Sequence, residues 1–317
     1  MRLVFMGSPD FSLPCLEALV AAGHQVLVVT RPDRPAGRGR KSRSPAVKEH
    51  AARHGLPVLQ PVRLHEPETL VKIREWEPQV VIVAAFGSIL REELLSLPPL
   101  GCLNVHASLL PRWRGAAPVQ AAILHGDSKT GVSIMKMDAG LDTGPVFAQR
   151  ELDILPEETG GQLSGRLAQL GAGLLLDVLP RIVEGEILPE PQDAVRATHA
   201  PVLSKSDGFL LWSKPSLHLA RQIRAYEPWP GSYFVWNEQR VLVRRARAVD
   251  AMSSEPGKVT VLDGVPAVGA GEGLLLLEVV QLAGRAAMEG RAFLSGARDF
   301  VGAQLEATRE AEELPPR

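Results

Sequence analysis

Cysteine is nearly absent from the 317-residue chain, with Cys15 and Cys102 as its two representatives. Two are too few for a disulfide framework, and no ligand cluster surrounds either, so both read as small buried apolar side chains. Asparagine is equally scarce, standing only at positions 104 and 237. Neither charge sign dominates, because 35 Lys and Arg meet 36 Asp and Glu for a net charge of −1. Any attraction to a polyanion must therefore come from local asymmetry. The cations are mostly Arg, which reflects composition and also suits phosphate recognition. Long hydrophobic runs are missing too: the richest, from Leu274 to Leu277, soon meets Glu278 and Gln281. No signal segment precedes the strand-like Met1–Met6, so a reducing cytoplasm is the expected setting, with no membrane partner.

What is present is the composition of a soluble globular protein, 45% hydrophobic and 22% charged. The length predicts two domains. In the first half, strand and helix patterns alternate. Leu3–Met6 is apolar, and in Gly7-Ser8-Pro9 the serine reads as an N-cap with proline at the first helical position. Gln25–Thr30 is an apolar strand, Val80–Ala85 is a continuous apolar run, the mark of burial on both faces, and Gly101–Val105 is the next strand. Helices are expected from Ser44-Pro45 to about Arg53, over Glu68–Trp76 and over Pro118–His125. Such alternation predicts a doubly wound α/β sheet. Gly131–Met137 and Pro145–Asp153 then flank a glycine-rich turn, and a long helix follows from about Gly161 to Glu184. Pro189–Asp207 lacks periodicity and reads as a linker. Beyond it, short alternating stretches (Ser232–Trp236, Arg240–Arg247, Lys258–Leu262, Leu274–Leu282) predict a small β-barrel, with a helix near Ser216–Arg224.

The chemistry concentrates at Asn104-Val105-His106, with Asp142 downstream inside Gly140-Leu141-Asp142-Thr143-Gly144. In an extended segment residues i and i+2 share a face, so Asn104 and His106 project into one space. They end a strand, where open α/β sheets place their ligands. Amide and imidazole donors can stabilise an oxyanion, and a nearby carboxylate favours the imidazolium or relays a proton. That points to acyl-group chemistry without a metal, since no His spacing suits zinc. The bland reading makes His106 an ordinary half-buried histidine and Asp142 a turn residue bonding its own backbone.

Gly7-Ser8-Pro9-Asp10 is a poor dinucleotide loop, because it lacks G-x-G-x-x-G and Pro9 removes an N–H; a tight turn exposing Gly7 near the site is the better reading. Arg31 to Arg43 carries six basic residues against Asp33 alone and is too rich in Gly and Pro for helix or strand. It reads either as a solvated loop or as one that orders on RNA. Arg240, Arg244, Arg245 and Arg247 on a strand pattern would give a barrel a basic face suited to an RNA backbone, or merely a solvated one. Tyr226 to Gly231 reads as a packed turn.

Asn104-Val105-His106-Ala107-Ser108-Leu109-Leu110-Pro111-Arg112-Trp113-Arg114-Gly115-Ala116-Ala117-Pro118, with Asp138-Ala139-Gly140-Leu141-Asp142-Thr143-Gly144, resembles the methionyl-tRNA formyltransferase family of 10-formyltetrahydrofolate-dependent enzymes. The resemblance extends over nearly the whole chain, through Gly7-Ser8-Pro9-Asp10-Phe11 (the family often has Thr at Ser8), the basic Arg31–Lys48 loop, Ala200-Pro201-Val202-Leu203-Ser204-Lys205 and Pro228-Trp229-Pro230-Gly231. It implies transfer of a formyl group from 10-formyltetrahydrofolate to methionyl-initiator tRNA, with Asn104, His106 and Asp142 catalytic and no metal. Ser108, Leu109, Leu110 and Pro111 would contact the folate, with Phe86, Ile89 and Leu90 near its pterin. Arg38, Arg40, Lys41 and Arg43 would meet the tRNA, Arg38 foremost. The expected protein is a monomer: a Rossmann-like, doubly wound, mostly parallel α/β sheet over 1–188, a linker over 189–207, an OB-like β-barrel that binds tRNA over 208–305, and a flexible tail over 306–317. Other folate-dependent formyltransferases and a formyltetrahydrofolate hydrolase share the triplet. A non-catalytic RNA-binding protein is the reading from another class, against which the intact triplet argues.

Overall fold

Five apolar runs of the first half lie side by side as parallel strands in the computed structural model, which describes residues 1–36, 41–251 and 255–306. In chain order the elements are β1 (Arg2–Gly7), α1 (Leu13–Ala21), β2 (Gln25–Val29), β3 (Arg34–Ala36), β4 (Lys41–Arg43), α2 (Ala46–Arg53), β5 (Val58–Leu59), α3 (Pro67–Glu75), β6 (Val80–Ala84) and α4 (Glu92–Leu95). There follow β7 (Cys102–His106), β8 (Arg114–Gly115), α5 (Pro118–His125), β9 (Lys129–Lys136), β10 (Val146–Asp153), α6 (Gly160–Val183) and β11 (His199–Ala200). The remainder comprises α7 (Ser216–Ala225), β12 (Ser232–Trp236), β13 (Gln239–Val249), β14 (Val259–Leu262), β15 (Val265–Gly269), β16 (Leu274–Leu282), β17 (Met288–Glu289) and α8 (Gly290–Gly296).

The main sheet runs β10-β9-β7-β6-β1-β2-β5, with β9 antiparallel to both β7 and β10. Every residue of β6 and β7 is buried, as strands covered on both faces must be. Alternation sends Val4, Met6, Val81 and Val83 into one core with Ile73 and Leu94, while Leu3 and Phe5 fill the opposite face. Each such side chain contributes about 1.5–3 kcal/mol by leaving water. Both thiols are buried, and burial pushes Cys15 and Cys102 up to about 12.

The chain packs as two compact units. One comprises Met1–Val119, Lys129–Asp153 and Leu163–Pro201; the other comprises Gln120–Ser128, Ile154–Gln162 and Val202–Arg317, of which 252–254 and 307–317 lie outside the described residues. The second unit thus draws in two stretches that a linear division at 188 gives to the first. Its antiparallel sheet runs β12-β13-β16-β15-β14, with β17 on β16. Among the described residues no pairing joins β12 to β14. Trp212, Phe234 and Phe300 are fully buried at its centre, with ring centroids 5.8–5.9 Å apart along the series. Among the described residues, no helix is long and apolar enough to cross a membrane.

Three local expectations need correction. Ser8 does not cap a helix: Pro9 precedes a 3₁₀ turn over Asp10–Ser12, and α1 starts at Leu13. Ser8 Oγ is engaged instead by the Thr30 hydroxyl at 3.2 Å and the Arg31 amide at 3.3 Å. Gly7 is buried rather than exposed. The basic segment, despite its Gly and Pro, places β3 and β4 as an antiparallel pair with Arg34 opposite Arg43, because hairpin pairing needs backbone groups and tolerates Pro at an edge.

Candidate active site

Strand β7 carries Asn104 and His106 to the carboxyl edge of the sheet, both buried. Opposite them, the turn after β9 is organised by Asp138, whose carboxylate accepts from the Gly140 amide at 3.1 Å and the Thr143 hydroxyl at 2.7 Å. That job therefore falls to Asp138 and not to Asp142. Gly144 closes the turn against the backbone; a Cβ there would lie 1.8 Å from the Lys136 carbonyl oxygen. Asp142 itself sits at φ 52°, the left-handed region that costs a non-glycine residue on the order of 1 kcal/mol or more. Its carboxylate reaches away from its own backbone, accepting from Asn104 Nδ2 at 3.3 Å and from the Gly115 amide at 2.8 Å. The three sequence-selected side chains thus meet.

His106 completes the arrangement with a fixed tautomer. Its Nε2 lies 2.9 Å from the Trp113 carbonyl oxygen, which can only accept, so Nε2 carries a hydrogen. The other ring nitrogen, Nδ1, faces Asp142 Oδ2 at 3.6 Å. Proton exchange at the ring is therefore confined to Nδ1. Asn104 spends one Nδ2 hydrogen on Asp142 and has a second for another acceptor. Amide donor, imidazole and carboxylate in this order can stabilise negative charge on oxygen and accept a proton from an attacking group.

The loop after β7 is held from behind. The Ser133 hydroxyl donates to the Ser108 carbonyl at 2.7 Å and accepts from the Leu110 amide at 3.1 Å; Gln149 Nε2 donates to the Leu110 carbonyl at 2.8 Å. Ser108 and Leu110 are buried, and the Ser108 hydroxyl donates to the Arg112 carbonyl at 2.6 Å. Leu109 and Pro111 are partly exposed, and the Leu110–Pro111 bond is cis. After the neighbouring strand β6, Phe86 and Leu90 enter the core beneath, whereas Ile89 is 80% exposed. Arg31 donates to the Gly87 carbonyl at 2.6 Å and His65 Nε2 to the Ile89 carbonyl at 2.9 Å, fixing that loop. Of the pterin-side candidates, Ile89 alone offers its side chain; Phe86 and Leu90 shape the loop that presents it.

The basic segment divides into two parts. Arg31 is a tether, and Asp33 is matched by Lys48 at 2.6 Å and Gln60 at 2.8 Å, contacts that hold its carboxyl below the ordinary value. Arg38 and Arg40 lie outside the described residues. Lys41 and Arg43 stand on β4, with only their backbone described. In the second unit three of the four arginines of β13 pair with acids. Arg244 bonds Glu227 at 3.0 Å and Gln281 at 2.6 Å; Arg245 and Arg247 share Glu278 at 2.9 and 3.5 Å. The row of arginines is thus partly paired within the fold, and Arg240 stacks on Tyr233 at 3.7 Å.

Sequence reading passed over Trp113, Gly115 and Gln192. The first two act through backbone groups that any residue type possesses, and Gln192 lies in the aperiodic stretch. Among the described residues no group of His, Cys, Asp and Glu could hold a metal ion.

A family model described as formyl transferase matches residues 1–179, and one described as formyl transferase, C-terminal domain, matches residues 202–298. The methionyl-tRNA formyltransferase of Chloroflexus aurantiacus is 48% identical over 93% of this chain and 97% of its own length. That of Symbiobacterium thermophilum is 44% identical over 99% and 98%. Among solved structures, an N-formyltransferase from Helicobacter canadensis in complex with folinic acid and dTDP-3-aminofucose aligns with a TM-score of 0.65 at 16% identity, covering 87% of this chain and 98% of that one. HypX from Aquifex aeolicus in complex with tetrahydrofolic acid gives 0.64 at 17%, over 95% of this chain and 48% of that one. At such identities the solved structures speak for the fold.

Proposed function

The chain belongs to the formyl transferase family, and from that membership we propose that it transfers a formyl group from 10-formyltetrahydrofolate to the α-amino group of methionyl-initiator tRNA. The observation that carries the reading is the meeting of Asn104, His106 and Asp142 at one sheet edge, the donors and acceptor that amine attack on a formyl carbon requires. The near-complete coverage by relatives named methionyl-tRNA formyltransferase supports the choice of acceptor.

The residues fit such a donor. Ile89 and the tethered 86–90 loop offer an exposed apolar surface beside the anchored 108–111 loop, on the adjacent strand ends. When bound, 10-formyltetrahydrofolate supplies a formyl carbon whose bond to N10 breaks as the amine nitrogen bonds to it. Asn104 directs its second Nδ2 hydrogen at the formyl oxygen, where negative charge develops. Asp142 accepts the proton that the amine gives up, and that same proton is delivered to N10 as it departs. His106 takes part in that proton transfer through Nδ1, the ring nitrogen that faces Asp142, with its ring held against rotation by the Nε2 hydrogen bond to Trp113. The acceptor tRNA is engaged by the 38–43 segment, through Arg38, Arg40, Lys41 and Arg43, and along its backbone by the second unit. The protein works as a cytoplasmic monomer.

The test offers methionyl-initiator tRNA, glycinamide ribonucleotide and water as competing acceptors of the formyl group. Transfer to the tRNA is expected, and preference for either competitor would refute the assignment. His106→Ala and Asp142→Ala should each lower kcat by at least ~10²-fold with folding intact; near-normal turnover in either would refute its role.

A further inference from the structure

Asp142 is held at both ends, and the second hold comes from the stretch that sequence reads as a linker. Gln192 Nε2 donates to the Asp142 carbonyl at 2.9 Å and to the Gly144 carbonyl at 2.6 Å. Its Oε1 accepts from Arg114 Nε at 3.0 Å and Nη2 at 2.9 Å. Because a guanidinium only donates, this fork fixes which way the Gln192 amide faces. Arg114 directly precedes Gly115, whose amide holds the Asp142 carboxylate. The circuit is closed: side chain of Arg114, amide of Gln192, backbone of Asp142, carboxylate of Asp142, amide of Gly115.

The rest of the stretch fastens the same loop. Thr198 Oγ1 accepts from the Trp113 amide at 2.9 Å and its carbonyl from the Arg114 amide at 2.9 Å, while β11 pairs with β8. Trp113 presents the carbonyl that orients His106. A left-handed non-glycine residue such as Asp142 relaxes unless its surroundings over-determine it. Gln192 is the group that pins its carbonyl.

We infer that Gln192 is a positioning residue for the proposed transfer, fastening the Asp142 turn to the Arg114–Gly115 loop so that the carboxylate stands against Asn104 and His106. The inference rests on the formyl-transfer reading above. Gln192 touches neither substrate nor reacting atoms; its effect passes through the position of Asp142, where a displacement of about 1 Å costs up to ~10²-fold in rate.

The experiment uses the full chain, with 10-formyltetrahydrofolate and methionyl-initiator tRNA as substrates, and variants Gln192→Ala, Gln192→Glu, Asp142→Ala and the Asp142→Ala, Gln192→Ala double. Gln192→Glu keeps the acceptor for Arg114 and loses both donated hydrogens, so it isolates the contact to the turn should the alanine variant fold poorly. Either Gln192 variant should lower kcat by about 10- to 100-fold while both KM values stay within about threefold. In the Asp142→Ala background the Gln192→Ala change should cost less than about twofold further, since the residue it positions is gone. A merely structural role would leave the two losses multiplicative, and that result overturns the inference. So does turnover within twofold of wild type in both Gln192 variants, or a loss carried by KM. A wild-type chain that formylates no methionyl-tRNA, or an Asp142→Ala variant at full turnover, refutes the site reading and the inference with it. Impaired Asp142→Ala beside unimpaired Gln192 variants overturns the inference alone.

Discussion

Replacing Gly115 with Ala tests the site through a single methyl group. Gly115 adopts φ 114°, a conformation that L side chains rarely adopt, and an added Cβ would lie 2.5 Å from the Ala200 carbonyl oxygen. The backbone conformation alone costs about 1–3 kcal/mol. The clash is with backbone, not a side-chain tip, so β8 and β11 must separate and their pairing suffers as well. Summing strain with one weakened hydrogen bond of about 1 kcal/mol gives a loss of about 2–4 kcal/mol. At about 2–4 °C per kcal/mol, the melting temperature should fall by roughly 5–15 °C. Activity should fall further than stability explains, because the Gly115 amide is the donor at 2.8 Å from Asp142 Oδ2. With a displacement of about 1 Å, kcat should drop by up to ~10²-fold in protein that is still folded at the assay temperature.

Circular dichroism melting and steady-state formylation of methionyl-tRNA below the transition provide the two readouts. Gly165→Ala serves as the control: it lies on α6 with nothing within 4 Å of the new Cβ, and should gain about 0.5–1 kcal/mol without touching kcat. A Gly115→Ala chain with unchanged melting temperature and kcat would refute the account of how the 113–115 loop meets Asp142.

Three further outcomes are expected. Both thiols, pushed up to about 12 by burial from an ordinary 9.0, should resist alkylation at pH 8 in the native chain and react only on unfolding; because the unfolded state sheds its thiol protons first, stability should decline as pH rises from about 9 towards 12, and rapid native-state labelling would refute this. Burial, with the charge of the stacked His54 adding to it, holds His50 below its ordinary value of 6.5, so its contribution to stability is present above pH 6.5 and is lost as pH falls through the lowered value; His50→Gln should flatten the acid limb of a urea-midpoint profile, and an unchanged limb would count against it. Arg245→Gln with Arg247→Gln should leave the salt dependence of tRNA use nearly unchanged, since Glu278 and Glu289 already pair with them, whereas Arg38→Ala with Lys41→Ala should reduce its slope by about 1 for each phosphate no longer neutralised; equal slopes for the two pairs would refute the division.

The parallel sheet was legible because its strands obey a simple physical rule. Val80–Ala84 is a continuous apolar run between helical patterns, as burial on both faces requires. The β3–β4 pair was not legible, because a hairpin in a Gly- and Pro-rich basic segment rests on backbone bonds that side-chain pattern does not encode. Strand β15, Val265–Gly269, was hidden likewise by its proline and glycine. The β13 arginines show a different limit. Sequence reveals a row of cations, but Glu227, Glu278 and Glu289 come from elsewhere in the chain and cancel much of the charge after folding.

At the site, chemistry was legible and its support was not. Asn104 and His106 share a strand face by arithmetic, and an Asp in a glycine-rich turn is a reasonable third partner. Nothing local says that Asp138, four residues earlier, takes over the turn's own hydrogen bonds and leaves the Asp142 carboxylate to reach across. Nor does anything local say which nitrogen of His106 faces it. That follows from the Trp113 carbonyl, whose position depends on Thr198 and on the β8–β11 pairing beyond it. The side chains that do chemistry are recognisable by their types; much of what places them, the Trp113 carbonyl and the Gly115 amide first, is backbone and leaves no mark in the sequence. Gln192, like Asp138 and Thr198, does that second kind of work with a side chain, which makes the placement of Asp142 open to mutation without altering a reacting group.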